Sequence, residues 1–136
     1  LRLLNSNRVE YLLIGGYAVG YHGYPRATAD MDIWIAMNPQ NGEKLVQVLK
    51  KFGFDLPELT SELFQKDNKV IRMGVPPIRI EIITTIDGVN FEECYLNRVQ
   101  DKMDGVDVNL INLKHLKINK KASGRYKDLN DLEHLP

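Results

Sequence analysis

The segment Leu12-Leu13-Ile14-Gly15-Gly16 constrains the fold of this chain more than any other. A short apolar run of this kind reads as a buried strand, and the glycine pair that ends it permits a tight turn whose backbone can approach a ligand closely. The turn opens Tyr17 to His22, read as a short helix, so the first free N–H groups face whatever sits at the turn. Such groups suit a phosphate or another anion. After Pro25, Arg26-Ala27-Thr28-Ala29-Asp30-Met31-Asp32 runs directly into Ile33-Trp34-Ile35-Ala36-Met37, whose β-branched and aromatic content favours a strand.

Residues two apart in a strand project to one face, so Asp30 and Asp32 point together. Two like carboxylates side by side repel unless protons or cations compensate them. A hard divalent cation is the economical partner, since Mg²⁺ takes oxygen ligands and is usually held by one or two carboxylates together with substrate phosphates. A Gly-Gly turn, an arginine and a D-x-D pair at a strand edge therefore point jointly to a metal-bound nucleoside triphosphate.

In this order, Gly15-Gly16 followed by Arg26-x-Thr28-x-Asp30-x-Asp32 resembles the DNA polymerase β-like nucleotidyltransferase superfamily, and within it the small bacterial and archaeal branch that includes AbiEii-type toxins. The resemblance implies a minimal nucleotidyltransferase fold of α/β (α+β) class, with a small mixed sheet, mostly antiparallel-connected, flanked by helices. It implies that Asp30 and Asp32 are catalytic metal ligands completed by a third carboxylate from a later strand. Glu81, in Ile78-Arg79-Ile80-Glu81-Ile82-Ile83, matches that position in type and order. Two Mg²⁺ ions and a nucleoside triphosphate donor such as ATP follow from the same resemblance, with Gly15, Gly16 and Arg26 holding the phosphates. The pattern Lys120-x-Ala122-x-Gly124-Arg125-x-Lys127-Asp128-x-x-Asp131-Leu132 resembles the C-terminal signature of the same branch, in which the lysine and an acidic residue face the site. Lys120 is thereby expected to offset charge on the triphosphate. The implied reaction is Mg²⁺-dependent transfer of a nucleoside monophosphate to a hydroxyl of a tRNA, a protein or a small molecule. A place in a toxin–antitoxin system, with a partner protein, is compatible with it.

Composition narrows the surroundings of such a site. Lys plus Arg and Asp plus Glu both number 18, so no global field draws the chain to a nucleic-acid backbone or an anionic membrane, and any polyanion site must be local. Cys94 is the single cysteine, which excludes an internal disulfide and fits a reducing compartment. No apolar run approaches the roughly 20 residues of a membrane-spanning helix, and no signal-peptide pattern opens the sequence. A cytoplasmic protein is the expectation, and 136 residues suit one domain over residues 1–136.

Along the chain, residues 1–7 read as a helix end leading into a strand at 9–14. Asn38 to Gly42 reads as a turn, Glu43 to Phe52 as a helix stopped by Gly53, and Pro57 to Gln65 as a short helix. Strands are expected at 70–75 and 78–85, antiparallel across the Pro76-Pro77 break, then a helix at 91–99, a strand at 106–110 and a last helical segment from Leu113 to Leu135. If the strand bearing Glu81 lies beside the one bearing Asp30 and Asp32, three carboxylates meet across about 50 positions of chain.

Each candidate also has a plainer reading. Glu81 on an exposed sheet face pairs equally well with Arg79, Arg72 or a lysine. Arg26 either grips a triphosphate or neutralises Asp30 and Asp32. Thr28 reads as a hydroxyl satisfying the loop backbone, His22 as packing, and Trp34 as core in preference to a base-stacking platform. Two rivals from other classes stand beside the enzyme: a catalytically inactive nucleotide-binding or protein-interaction module, and a structural domain whose D-x-D is only a strand end. A hydrolase using the same carboxylates is the enzyme alternative.

Overall fold

The computed structural model describes residues 1–28, 30–75 and 79–136. Ala29, the Pro76-Pro77 break and Ile78, expected to start a strand, lie outside them. The elements in order are α1 (Arg2–Ser6), β1 (Tyr11–Ile14), α2 (Gly15–Tyr21), β2 (Asp30–Ile35), α3 (Pro39–Lys51), a 3₁₀ turn (Leu63–Gln65), β3 (Val70–Met73), β4 (Arg79–Ile83), α4 (Phe91–Leu96), β5 (Val99–Met103), β6 (Val106–Leu110), α5 (Leu113–Ser123) and α6 (Tyr126–His134). The strands form one mixed sheet in the order β3-β4-β2-β1-β6-β5. Pairs β1/β2, β3/β4 and β5/β6 are antiparallel, whereas β2/β4 and β1/β6 are parallel.

The apolar run that opens the site segment is the central strand, with Tyr11, Leu12, Leu13 and Ile14 all buried. Burial on both faces is what an unbroken apolar run can satisfy and an alternating one cannot. In β2 the burial changes along the strand: Asp30, Met31 and Asp32 are half-buried, while Ile33, Trp34 and Ile35 are buried. The covered half fixes the strand, with Trp34 donating its indole N–H to the Thr84 carbonyl at 3.2 Å and packing edge-on against Phe91. The open half carries the carboxylates. Trp34 is thus core, as its plainer reading held.

Several expected boundaries move: β1 starts at Tyr11, α2 runs over Gly15–Tyr21, β3 ends at Met73 and β4 at Ile83. The turn expected at residues 38–42 is the first turn of α3: the Asn38 side chain accepts the Asn41 N–H at 2.8 Å and Pro39 occupies the first helical position, where its missing N–H costs nothing. Asn41 then points inward and bonds the Glu10 N–H, the Glu10 carbonyl and the Ala36 carbonyl. The short helix expected at residues 57–65 shrinks to one 3₁₀ turn capped by Thr60 Oγ1, which accepts the Leu63 N–H. The helix expected to reach Val99 stops at Leu96, and Val99 starts β5, which was not expected. β5 returns into β6 through Asp104-Gly105, both at positive φ (52° and 78°), the two-residue hairpin geometry that matches strand twist. The C-terminal segment is two helices, because Gly124 at φ 65° ends α5 in the left-handed conformation. No helix among the described residues is long and apolar enough to cross a membrane.

Candidate active site

The β1–α2 turn is built around its two glycines. Gly15 has φ +64°, and a Cβ there would lie 2.0 Å from Asp32 Oδ2. A Cβ on Gly16 would lie 2.8 Å from Thr28 Cβ. The glycine pair therefore makes room for the Asp32 carboxylate and the Thr28 side chain. Thr28 in turn accepts the Asp30 N–H at 3.4 Å and donates to the Asp30 carbonyl at 3.1 Å, the structural role expected of it. His22 bonds the Ile111 carbonyl at 2.8 Å through Nε2, which leaves it a packing residue.

Sheet register sets the carboxylates. Across the sheet, Ile14 stands opposite Asp32, Asp32 opposite Glu81, and Glu81 opposite Arg72, while two rungs away Asp30 stands opposite Arg79. Asp32 and Glu81 are direct cross-strand partners on one face of the sheet. Burial, the Glu81 contact and the nearby Asp30 charge push the Asp32 carboxyl up to about 7, against the pull of Lys127. Its Oδ1 is buried with no hydrogen-bond partner among the described residues. The other two carboxylates are claimed by arginines. Arg79 donates Nε and Nη2 to Asp30 at 2.5 and 3.0 Å and holds its carboxyl below the usual range. Arg72 Nε donates to Glu81 Oε1 at 2.7 Å.

Of the expected metal set Asp30, Asp32 and Glu81, the structure brings Asp32 and Glu81 side by side and leaves Asp30 turned to Arg79. Among the described residues no three ligating side chains converge tightly enough to hold a metal as they stand. The local chemistry nonetheless fits a cation at Asp32. A buried carboxylate oxygen without a donor, beside a second carboxylate and against a glycine that leaves it space, is a position that a proton fills poorly and a divalent cation fills well.

The opposite wall comes from the C-terminal helices. Arg26 donates Nε and Nη2 to the two oxygens of Asp131 at 2.8 and 2.9 Å. Its counter-ion is Asp131, and not the strand carboxylates that its plainer reading assigned to it. Lys120 Nζ lies 3.1 Å from Asp131 Oδ2 and 3.1 Å from Asp128 Oδ1, and Arg125 Nε donates to Asp128 Oδ2 at 2.8 Å. The result is an alternating chain, Arg26–Asp131–Lys120–Asp128–Arg125. Burial raises the carboxyls of Asp128 and Asp131, but the hydrogen bonds from Arg125 and Lys120, and from Arg26 and Lys120, outweigh it and hold both below the usual range. Asp131 is 0 % exposed and Asp128 1 %, and such buried ions persist only when paired.

Between the walls lies a cavity of about 390 Å³ that Gly15, Gly16, Asp32 and Glu81 share with Arg26, Lys120, Arg125 and Lys127. All the expected site residues line it except Asp30. A larger, shallower hollow of about 790 Å³ beside α1, β5 and β6 is lined by residues such as Asn5, Arg98 and Asp107 and holds no carboxylate pair of this kind. Sequence reasoning treated Asp131 and Arg125 only as parts of a pattern, and Arg72 and Arg79 only as bland partners. The i, i+3 spacing of Asp128 and Asp131 on a helix was the available signal for the network, but that spacing is as common on a solvated face.

No protein-family model matches the chain, and no curated protein matches its sequence. Solved structures do. A candidate nucleotidyltransferase from Thermotoga maritima superposes with a TM-score of 0.59 at 14% identity, covering 96% of this chain and 84% of its own. An antigenic nucleotidyltransferase-like protein from Paracoccidioides brasiliensis superposes with a TM-score of 0.57 at 18% identity, covering 96% of this chain and 69% of its own. At these identities the likeness is one of fold, and the fold is nucleotidyltransferase-like.

Proposed function

We propose that the cavity binds a metal-complexed nucleoside triphosphate and that the chain is a nucleotidyltransferase. The observation that carries this reading is the pairing of Asp32 and Glu81, with a buried, donorless oxygen, directly across a cavity from Lys120, Arg125 and Lys127. The basic wall suits phosphate oxygens. Lys120 uses two of its three N–H donors on Asp128 and Asp131 and keeps one, and Arg26 keeps its Nη1 group while Asp131 holds the rest of the fork. Because their carboxylate partners are buried, these donors are fixed before a ligand arrives, which favours charge developing on a triphosphate.

Asp32 and Glu81, with Asp30 once released from Arg79, are the residues that would hold divalent cations. Bound there, Mg²⁺ supplies charge neutralisation of the triphosphate and polarisation at the α-phosphate. Glu81, at the cavity margin, is placed to take the proton of an attacking hydroxyl. Gly15, which has no side chain, leaves the space beside its backbone that the Asp32 carboxylate occupies. The acceptor in this reading is a hydroxyl of a tRNA, a protein or a small molecule. A cytoplasmic toxin–antitoxin pair with a partner protein remains a compatible setting for it.

A second reading, an inactive nucleotide-binding or interaction module, draws on the Asp30–Arg79 ion pair, which takes one expected ligand out of the cavity. Calorimetric titration of each nucleoside triphosphate, with and without Mg²⁺, into the wild type and an Asp32→Asn, Glu81→Gln variant tests the proposal. Metal-dependent binding that the variant loses, with pyrophosphate release on adding an acceptor, supports the transferase. Binding without release moves the chain to the inactive nucleotide-binding module, and no binding to any triphosphate by the folded wild type sinks the transferase and leaves the interaction module.

A further inference from the structure

We propose that Arg72 and Arg79 are specificity residues that make this site prefer a divalent cation delivered with a polyphosphate over a free divalent cation. The inference rests on the nucleotidyl-transfer reading above. It starts from register: Arg72 is the direct cross-strand partner of Glu81, and Arg79 that of Asp30. Both pairs are side-chain hydrogen bonds between charged groups, and the Arg79 pair is bidentate. Cross-strand partners cannot drift apart while the ladder holds, so these are resident counter-ions and not chance surface contacts.

A free cation entering beside Asp32 must take Glu81 and Asp30 from these arginines. That breaks three charge-assisted hydrogen bonds and leaves two guanidiniums, ten N–H donors between them, without a protein acceptor. The neighbouring acids offer no relief. Asp128 is committed to Lys120 and Arg125, and Asp131 to Lys120 and Arg26. A cation that arrives on a polyphosphate brings a surplus of anionic oxygens, which accept N–H hydrogen bonds from the released guanidiniums. Arg72 already lines the cavity with its side chain 65 % exposed, while its partner Glu81 is 13 % exposed. The arginine is thus the mobile member of the pair and the carboxylate the fixed one. Differential contact of this sort is what couples two ligands thermodynamically.

The test measures binding of Mn²⁺ alone, and of the Mg²⁺ complexes of non-hydrolysable analogues of the four common nucleoside triphosphates, by calorimetry. The proteins are the wild type, Arg72→Gln, Arg79→Gln and the charge-keeping Arg72→Lys. Loss of one charged hydrogen-bonding partner on a half-exposed site predicts that Mn²⁺ alone binds each Gln variant about three- to tenfold more tightly than the wild type. The same variants bind the metal–nucleotide complex about three- to tenfold more weakly, and the Lys variant stays within about twofold of the wild type. If the wild type binds a metal–nucleotide complex but Mn²⁺ affinity is unchanged or weaker in both Gln variants, the counter-ion role is wrong and the transferase site survives. If the wild type binds neither probe, both readings fall. Arg72 is exposed enough that its variant folds, so the result at Arg72 decides the matter even if Arg79→Gln does not fold.

Discussion

Asp32 gives the sharpest quantitative handle on the site, because a carboxyl that keeps its proton to about pH 7 makes the ligand-free protein less stable as pH rises. The folded-state value of about 7 lies above the ordinary 3.8. Between these values the native chain holds a proton that the unfolded chain has lost, so stability falls with rising pH across that window and levels off above it. Moving a carboxyl from 3.8 to about 7 corresponds to about 4 kcal/mol. Asp30, Asp128 and Asp131 act in the opposite sense and elsewhere: their carboxyls are lowered, so the stability they contribute is present above about pH 4 and lost only below it.

Asp32→Asn replaces the protonated acid with a neutral group of the same shape. In EDTA, urea denaturation at pH 5 should find the variant more stable by only about 1.5 kcal/mol, because the unfolded aspartate begins to ionise above 3.8. At pH 8.5 the gap should have widened to about 4 kcal/mol. Other groups that titrate between these pH values and do not interact with Asp32 are common to both proteins and cancel in the difference. Mg²⁺ at pH 8.5 should close the gap by stabilising only the wild type through mass action. A gap that is the same at pH 5 and pH 8.5 would refute the reasoning, since Asp32 would then be ionised in the fold throughout and its Oδ1 satisfied.

Two further substitutions probe the walls. Asp131→Asn removes the carboxylate that Arg26 and Lys120 share inside the protein, and should cost about 3 to 5 kcal/mol in urea denaturation because both cations are left short of a partner; a loss below about 1 kcal/mol would mean that the pairing is dispensable. Gly15→Ala combines a left-handed backbone costing about 1 to 2 kcal/mol with a Cβ 2.0 Å from Asp32 Oδ2, so it should leave a folded chain by circular dichroism that no longer binds metal–nucleotide, and retained binding would show that Asp32 can move aside at no cost.

The parts of this fold that were legible in the sequence are those where one residue pattern serves one structural purpose. Leu12 to Ile14 had to be buried, the D-x-D parity had to place two acids on one face, and Glu81 followed once its strand was placed beside the first. Legibility failed where a residue type serves two purposes. Asn38 and Pro39 are turn formers and also helix starters, and only the tertiary role of Asn41, which ties α3 to the Glu10 and Ala36 backbone, distinguishes them. β5 was hidden because Gln100, Asp101 and Lys102 make its interior polar, as an exposed edge strand allows. Its signal lay in the Asp104-Gly105 dipeptide that closes the hairpin.

Charge shows the same division within the site. A chain with 18 basic and 18 acidic residues has no net field, yet folding sorts its charges into two kinds around one cavity. On the helical side Arg26 and Lys120, themselves largely buried, are fixed by Asp131 and Asp128, which are buried and cannot leave. On the strand side Arg72 and Arg79 are paired with carboxylates that a cation would compete for. In the proposed function, the fixed cations would define where a polyphosphate lies, and the releasable ones would determine whether a bare cation is worth admitting. Neutrality over the whole chain therefore argues against a long polyanion held across the surface, and leaves room for a short one held at a single point where the wall of buried acids has already oriented the donors.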